Sequence, residues 1–366
     1  MKKRFWETFF GGRPGKRFSA WQIELTSRCP LRCRMCCREG QTALERKDMS
    51  LEDFQRLLPY MKGVEAVVLE GWGESLLHPH LVECVRLVKG MGTRVGFVTG
   101  GKTLDRAYIS ELVRAETDFI GFSLSGATAP THDSSRGNSS LPDRLEHIQV
   151  FREIKARQKS PYPRLHMVYL LLKDNIAEVP ALVRLARQLK IEEVILIHIA
   201  LVSTIWQEEQ RIFAVEQVED YNNIIREAQR LAQDFRIRLV VPPLTPRDVA
   251  VCSENPLRNL YISVDGDVSP CVYLHPPLPS PFRRIFHGAD YPTEKVIFGN
   301  ILHEPFEGIW DNPSYEGFRG SFSKRLKNFE EMYASLWSGN KPKGGGSPIS
   351  PYPPGPCRNC YKIEGV

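Results

Sequence analysis

The stretch AWQIELTSRCPLRCRMCCREG, residues Ala20 to Gly40, joins a strand-like segment to a dense run of thiols. The segment AWQIELT has the composition of a β-strand, and four of the chain's nine cysteines follow it closely. Cysteines this close together suit a disulfide cluster, a metal site or redox chemistry. The rest of the chain bears on which of these applies.

The ends and apolar runs of the sequence argue against a disulfide cluster. The N-terminal MKKRFWETFFGGRPGKRF is basic but lacks the apolar core of a secretory signal, and no apolar run approaches the roughly 18 residues of a membrane span. We therefore expect a cytoplasmic protein with no membrane partner. In that compartment thiols stay reduced, and clustered cysteines more often bind metal or carry out redox chemistry.

Composition indicates a globular chain of 366 residues, with 42% hydrophobic and 25% charged residues. The formal net charge of +6 is spread along the sequence. This mild excess suits an anionic ligand but does not call for nucleic acid, which we regard as an unlikely partner.

Strand patterns alternate with amphipathic helical patterns over the first two thirds of the chain. The expected strands are AWQIELT, VEAVVLE, TRVGFVT, TDFIGFSLS, PRLHMVYLLL and EEVILIHI, with IRLVV after the sixth helix. The expected helices are LEDFQRLLPYM, PHLVECVRLVKGM, LDRAYISELVRA, LPDRLEHIQVFREIKARQ, IAEVPALVRLARQL and EQVEDYNNIIREAQRLAQDF. Six such units predict an α/β fold, a partial (β/α)6 TIM-like barrel, with functional groups at the carboxyl ends of the strands.

Domain boundaries follow from changes in this pattern. We expect an N-terminal extension over 1–19, a barrel core over 20–241 and a small domain over 242–366, where short strands, turns and Pro-rich segments replace the alternation. The Gly/Pro/Ser-rich segment 341–356 is expected to be a flexible tether that ends at the sequence CRNC.

The first three cysteines, Cys29, Cys33 and Cys36, have the spacing C-x-x-x-C-x-x-C. Three thiolates can hold three irons of a [4Fe-4S] cluster and leave the fourth iron open, whereas a structural zinc site normally takes four ligands. This spacing, after the first strand of a six-fold strand-helix pattern, resembles the radical S-adenosylmethionine (SAM) superfamily. Cys37 could substitute as a ligand; the alternative is a packed thiol.

Other segments resemble the SAM-binding segments of the same superfamily. LEGWGES resembles its Gly-Gly-Glu motif, which implies that Gly71, Gly73 and Glu74 contact the methionine end of SAM; Trp72 and Ser75 stand where the motif usually has Gly and Pro. FSLSG places Ser123 and Ser125 near the ribose, with Ser125 in place of the usual acid. The alternative for LEGWGES is an ordinary turn.

Two further residues follow from the same resemblance. It implies that Arg136, in THDSSRG, meets the SAM carboxylate, and that Asn175 lies near the cofactor. A solvated loop arginine and a helix-capping asparagine are the alternatives.

Three polar residues could point into the barrel, namely Glu24 and Thr26 on the first strand and His198 on the sixth. The simpler interpretation is that each is a hydrogen-bonded structural residue. Cys84 lies on the apolar face of a helix and is expected in the core.

A second group of cysteines occupies the C-terminal third: Cys252, Cys271, Cys357 and Cys360. With the intervening helix around Trp310, this region resembles the auxiliary-cluster domain of SPASM/Twitch enzymes. Because only four cysteines are present, the resemblance implies the shortened Twitch form with one auxiliary [4Fe-4S] cluster. A zinc ribbon is the alternative for these four thiols.

The resemblance implies an oxidoreductase or maturase that cleaves SAM reductively to a 5′-deoxyadenosyl radical, which abstracts hydrogen from a substrate. A net oxidation or cross-link in peptide or protein maturation or in cofactor biosynthesis would follow, with a flavodoxin- or ferredoxin-type electron donor. Oxidation or decarboxylation of a small molecule, such as an alcohol or tetrapyrrole, is the alternative. A non-catalytic iron-sulfur or zinc protein for regulation or electron transfer is a second alternative, but it would need neither GWGES nor FSLSG. The sequence does not identify the residue that acts as catalytic acid or base.

Overall fold

The computed structural model describes residues 17–41, 44–216, 218–337 and 351–366. Most of the expected N-terminal extension, 1–19, and the first part of the expected tether, 341–350, lie outside the described residues.

The core contains every strand predicted from the sequence, together with two short strands that the sequence did not predict, and all are numbered along the chain. They are β1 (Phe18–Ile23), β2 (Arg32–Cys33), β3 (Val64–Val68), β4 (Arg94–Thr99), β5 (Phe119–Leu124), β6 (Arg136–Gly137), β7 (Arg164–Leu171), β8 (Glu193–His198) and β9 (Arg238–Val240). Strands β1, β3, β4, β5, β7, β8 and β9 are parallel neighbours in that order. The short strands β2 and β6, which the sequence did not predict, pair with each other as a separate antiparallel sheet.

The six predicted helices lie in the connections between parallel strands of this sheet, which need such crossovers. They are α1 (Leu51–Leu57), α2 (Leu81–Gly90), α3 (Arg106–Arg114), α5 (Leu141–Gln158), α6 (Val179–Gln188) and α8 (Val218–Phe235). Two short helices that the sequence did not predict are α4 (Ala129–Ser135) and α7 (Ile205–Glu209). Local caps define several starts: the Asp105 carboxylate accepts from the Tyr108 N–H at 2.7 Å, and the Ser50 hydroxyl accepts from the Asp53 N–H at 3.0 Å. The α/β fold with a partial TIM-like barrel is confirmed.

The C-terminal third adds to the barrel sheet. Strand β10 (Asn259–Ile262) pairs in parallel with the outer edge of β1, with Ala20 opposite Asn259, and β11 (Val268–Ser269) pairs antiparallel with β10. Sequence patterning did not place β10 in this sheet because its four residues show no helix-strand alternation. The remaining elements are the hairpin β12 (Phe282–Phe286) and β13 (Ala289–Thr293), and helices α9 (Phe306–Trp310) and α10 (Pro313–Trp337).

The core forms between the sheet and its helices, and it continues into the C-terminal third. Every residue of β3 is buried, as expected for a parallel strand covered on both faces. Phe18 of β1 packs edge-on against Phe306 and Trp310, at ring-centroid distances of 5.6 and 4.7 Å. Cys84 is fully buried in this core, as predicted. Within the described ranges, none of the helices is long and apolar enough to cross a membrane.

Candidate active site

The loop that carries the first three cysteines follows the carboxyl end of β1 and includes the short strand β2. Its thiols Cys29, Cys33 and Cys36 are half-buried, and the Cys36 N–H donates to the Cys33 carbonyl at 3.0 Å, which closes a turn between the last two. Burial raises the pKa of Cys29 to about 12, and the charges of Glu74, Cys33 and Cys36 act in the same direction. Burial and the neighbouring negative charges therefore disfavour the thiolate form of Cys29, which a bound cation would favour.

The pKa values of the adjacent thiols Cys36 and Cys37 are shifted in opposite directions. A hydrogen bond from Cys37 lowers the pKa of Cys36 to about 7, whereas burial raises the pKa of Cys37. Cys37 packs in an apolar layer with Leu201, Leu278 and Phe282. Cys36 thus has the environment of a ligand thiolate, and Cys37 that of a packed side chain.

The GWGES turn follows β3 and sits beside this loop. Glu74 is buried, and its carboxylate accepts from the Thr99 hydroxyl at 2.6 Å and from the Gly100 N–H at 2.8 Å. Burial raises the pKa of Glu74, and these hydrogen bonds oppose that rise. The carboxylate therefore links the turn after β3 to the end of β4. The resemblance implies that the methionine end of SAM binds at this place.

The glycines of this turn are required by close packing against β1. A Cβ on Gly73 would lie 1.8 Å from the Thr26 carbonyl oxygen, and one on Gly71 would lie 2.5 Å from the Glu24 side chain. Because the first of these contacts is with backbone, no side-chain movement could relieve it.

Glu24 anchors the turn, a role that the sequence did not reveal. Its carboxylate accepts from the Trp72 N–H at 2.6 Å, the Gly73 N–H at 3.2 Å and the Tyr261 hydroxyl at 2.9 Å. Burial raises the pKa of Glu24, and the same hydrogen bonds favour its ionised form. The signal available was a carboxylate near the end of a buried strand, but its partners, in the turn after β3 and on β10, are distant in sequence.

Ser123 and Ser125, at the end of β5, are joined by Arg136. The guanidinium donates to the Ser123 hydroxyl at 2.7 Å and to the Ser125 hydroxyl at 2.8 Å, and its Nη1 lies 3.9 Å from the Cys33 Sγ. The pairing of β2 with β6 brings Arg136 to the cysteine loop. The serines and arginine named from the sequence thus form one group beside the thiols, and Arg136 is buried, not solvated.

Asn175 is fully buried, and its amide is hydrogen-bonded to backbone on two strands. It donates to the carbonyls of Ser125 at 3.0 Å and Leu170 at 2.8 Å, and it accepts from the Leu172 N–H at 2.8 Å. Its side chain does not cap the following turn. Asn175 therefore fixes the ends of β5 and β7 relative to each other.

His132 and Arg144 also belong to this edge of the sheet, although the sequence did not single them out. His132 Nδ1 accepts from the Ser125 N–H at 3.2 Å, so the ring is neutral with its proton on Nε2, 3.0 Å from the Ser139 hydroxyl. Burial, with the charges of Arg136 and Arg144, lowers the pKa of His132 to about 3. Arg144 is buried and donates to the Gly101 carbonyl at 2.5 Å.

The other polar residues considered for the barrel interior are hydrogen-bonded within the fold. His198 donates through Nε2 to the Pro243 carbonyl at 2.8 Å, and its ring lies 4.7 Å from that of Phe213. Thr26 accepts from the Arg28 N–H at 3.1 Å. The structural interpretation holds for both residues.

The four C-terminal cysteines line one small cavity, together with Glu254 and Tyr273. Cys252 precedes β10, Cys271 follows β11, and Cys357 and Cys360 come from the C-terminal segment. Burial raises the pKa of Cys252 to about 12, and it also raises those of Cys271 and Cys357 well above the usual value. All nine cysteines are free thiols.

The donor chemistry of both cysteine groups fits iron-sulfur clusters, because each group presents soft sulfur ligands from within a protected site. In the small cavity of the four C-terminal cysteines, Glu254 is the carboxylate that lies beside the thiols. Among the described residues, no three Cys, His, Asp or Glu side chains converge closely enough to hold a single metal ion.

A larger cavity of about 250 Å³ opens between the cysteine loop and the C-terminal third. Glu24, Ser27 and Trp72 line its core side, and Asp265, His275 and Lys295 line the other. Charges of both signs face this cavity, beside apolar surface from Trp72. Its lining thus includes Trp72 of the GWGES turn and the anchoring carboxylate Glu24.

Comparisons with known proteins agree with this geometry. A family model described as the radical SAM superfamily matches residues 23–186, and one described as SPASM, an iron-sulfur cluster-binding domain, matches residues 252–361. The chain carries a radical SAM domain and a SPASM domain. The two matches include all seven cysteines that were proposed as ligands.

Relatives with stated activities support the same assignment. The chain is 23% identical to a tungsten-containing aldehyde ferredoxin oxidoreductase cofactor-modifying protein of Pyrococcus furiosus, over 81% of this chain and 82% of that protein. It is 25% identical to the PqqA peptide cyclase of Gluconobacter oxydans, over 81% and 78% of the two chains. The SAM-bound crystal structure of SuiB from Streptococcus suis has the same fold, with a TM-score of 0.63 and 14% identity, over 83% of this chain and 68% of that one.

Proposed function

We propose that this radical SAM enzyme generates a 5′-deoxyadenosyl radical and uses it to remove hydrogen from a substrate, for a net oxidation or cross-link in peptide or protein maturation or in cofactor biosynthesis. The observation that carries the proposal is the grouping of Cys29, Cys33 and Cys36 with Glu74 and Arg136 at one edge of a parallel sheet. Bound there, an iron-sulfur cluster would supply the electron that cleaves SAM.

The chain's own residues would bind and orient the cofactor. Gly71 and Gly73 let the backbone of the turn approach closely, and Glu74 places a buried carboxylate where an ammonium group would be paired. Arg136 and the hydroxyls of Ser123 and Ser125 offer further polar contacts. Burial of this group excludes water and competing hydrogen donors from a reactive radical.

The proposal includes one auxiliary [4Fe-4S] cluster held by Cys252, Cys271, Cys357 and Cys360. The SPASM match spans these four residues, and the sequence has no other cysteine in that range. Four thiolates would ligate such a cluster completely, so it would accept electrons without binding substrate. We therefore place substrate in the cavity beside Glu24 and Trp72.

The relatives favour two substrate classes for this activity. The similarity to a PqqA peptide cyclase supports a peptide or protein substrate, and the similarity to a cofactor-modifying protein supports a small molecule or bound cofactor. The mixed charges of the cavity lining are compatible with a zwitterionic or peptide group. A reduced flavodoxin or ferredoxin would deliver the electron in a cytoplasmic setting that keeps the nine free thiols reduced.

The test is to incubate the anaerobically reconstituted enzyme with SAM, a strong reductant and a panel of peptides and small molecules. We expect 5′-deoxyadenosine in every reaction, with faster formation and a product lighter by two hydrogens when the correct substrate is present. No deoxyadenosine from enzyme that retains its iron would contradict the proposal. That result would instead favour a non-catalytic iron-sulfur protein.

A further inference from the structure

Trp72 connects the GWGES turn to the loop that carries Cys271. Its backbone N–H donates to Glu24 at 2.6 Å, which fixes the residue within the turn. Its indole Nε1–H is directed at two carbonyls of the C-terminal third, Val272 at 3.3 Å and His275 at 3.2 Å. One residue therefore joins the segment expected to bind SAM to the segment expected to bind the auxiliary cluster.

The segment that receives the indole is a compact turn. Residues Val272–Leu274 form a single 3-10 turn after Cys271, closed by the Leu274 N–H to the Cys271 carbonyl at 3.2 Å. Tyr273 of this turn packs edge-on to Trp72, with 6.3 Å between ring centroids, and it also lines the cavity of the four thiols. A displacement of Trp72 would therefore also displace Tyr273 and the neighbouring Cys271.

Apolar packing makes this connection stiff. Trp72 and Tyr273 pack against a cluster formed by Cys37, Leu201, Leu278 and Phe282. Cys37 is the neighbour of Cys36 in the first cysteine loop, so the cluster touches both groups of ligand thiols through adjacent residues. Close-packed side chains transmit small displacements because they cannot deform continuously.

The connection depends on the residue type at this position. The superfamily motif usually has glycine where this chain has Trp72, and glycine has neither an indole donor nor a ring to pack. A phenylalanine would keep most of the packing but would leave the carbonyls of Val272 and His275 without this donor.

We propose that Trp72 is a positioning residue that couples SAM binding in the GWGES turn to the order of the Cys271 loop. The inference rests on the proposed function, since it requires SAM to bind at this turn. By linkage, SAM binding that orders Trp72 slows opening of residues 272–275, and a disordered Cys271 loop weakens SAM binding by the same factor.

The experiment is hydrogen exchange with mass spectrometry on the reconstituted holoenzyme, with and without SAM, alongside a SAM titration. In the wild-type enzyme we expect SAM to slow exchange of residues 272–275 about fivefold, within the usual range of coupling between sites. In Trp72→Phe we expect this protection to disappear and the Kd for SAM to rise about fivefold, with iron content unchanged. Trp310→Phe, which alters a tryptophan outside this network, should keep both properties of the wild type.

Two results would overturn the coupling. One is wild-type enzyme that binds SAM without a change in exchange at 272–275, a measurement that needs no variant. The other is a folded Trp72→Phe enzyme with wild-type protection and wild-type SAM affinity. Wild-type enzyme that fails to bind SAM at all would contradict the proposed function itself.

Discussion

Two buried carboxylates lie at the carboxyl edge of the sheet, beside the first cysteine loop. Glu24 and Glu74 are both buried and hydrogen-bonded carboxylates, but their partners differ. Glu24 accepts from two backbone N–H groups of the GWGES turn and from the Tyr261 hydroxyl. Glu74 accepts from the Thr99 hydroxyl and from the Gly100 and Leu76 N–H groups. Glu24 thus holds the turn in place, and Glu74 remains the residue of the turn proposed to meet SAM.

Replacing Glu74 tests whether this residue contacts SAM. In Glu74→Ala we expect SAM affinity to fall at least tenfold, because a charge-assisted contact to the ligand ammonium is lost, while the absorbance of the clusters stays close to wild type. The measurement is a SAM titration of the anaerobic holoenzyme. Glu83→Gln, at a half-exposed position of α2, is the control and should bind as wild type. Unchanged affinity in Glu74→Ala would reject the assigned contact.

His198 gives a pH-dependent prediction. Burial lowers its pKa to about 4, so the folded protein leaves the ring neutral where the unfolded chain, with a pKa near 6.5, protonates it. The stability contributed by the neutral ring is present above pH 6.5 and is lost as the pH falls towards 4.

We therefore expect the free energy of unfolding to fall by about 2 kcal/mol between pH 7 and pH 5 through this residue, at about 1.4 kcal/mol per pH unit. In His198→Gln that part of the loss should be absent, as measured by urea unfolding at the two pH values. His303→Gln, at an exposed site, should retain the full loss. An equal pH response in His198→Gln and wild type would contradict this interpretation.

The GWGES turn shows which parts of an element the sequence can reveal. Its glycines and its place after a strand were readable because motif and strand pattern are local. The contact that requires Gly73, with the Thr26 carbonyl of the β1 end, and the anchoring by Glu24 were not readable, since they join residues about fifty positions apart. The pairing of β10 with β1 was missed for the same reason, because Asn259 and Ala20 are far apart in the chain.

A matched pair of glycine variants tests the packing of this turn. A methyl group on Gly73 meets backbone at 1.8 Å, whereas one on Gly90, at the end of α2, meets no atom within 4 Å. We expect Gly73→Ala to lower the free energy of unfolding by about 3 kcal/mol and Gly90→Ala to be neutral or slightly stabilising. Urea unfolding of the two variants decides this, and equal stability of both would show that the turn is not packed as described.

The whole molecule combines two cysteine sites on one continuous sheet, because β10 and β11 extend the barrel instead of starting a separate one. Strand-helix alternation predicted the barrel, and the spacing of the cysteines indicated the three-cysteine loop and the second cysteine group. It did not predict that Trp72 and Tyr261 would join the two regions, since each contact depends on the folded arrangement of distant segments.

Because the two cysteine sites are assigned different roles, removing the C-terminal thiols should abolish substrate oxidation but not all SAM cleavage. Replacing Cys252, Cys271, Cys357 and Cys360 together with Ala should lower iron by about four per chain, on the stoichiometry of one [4Fe-4S] cluster. Substrate oxidation should stop while some uncoupled SAM cleavage continues. Iron analysis with product and deoxyadenosine assays measures both. Stoichiometric zinc at these thiols in the wild-type enzyme after anaerobic reconstitution would contradict the auxiliary-cluster assignment.

The central claim is that the loop of Cys29, Cys33 and Cys36 holds the cluster that cleaves SAM. The measurement that tests it most directly is deoxyadenosine formation by the reconstituted wild-type enzyme and by a variant with these three cysteines replaced by Ala, each under anaerobic reducing conditions. We predict that the wild type forms deoxyadenosine, and that the variant forms none while keeping the iron of the auxiliary site. Deoxyadenosine formation at the wild-type rate by the variant would contradict the claim.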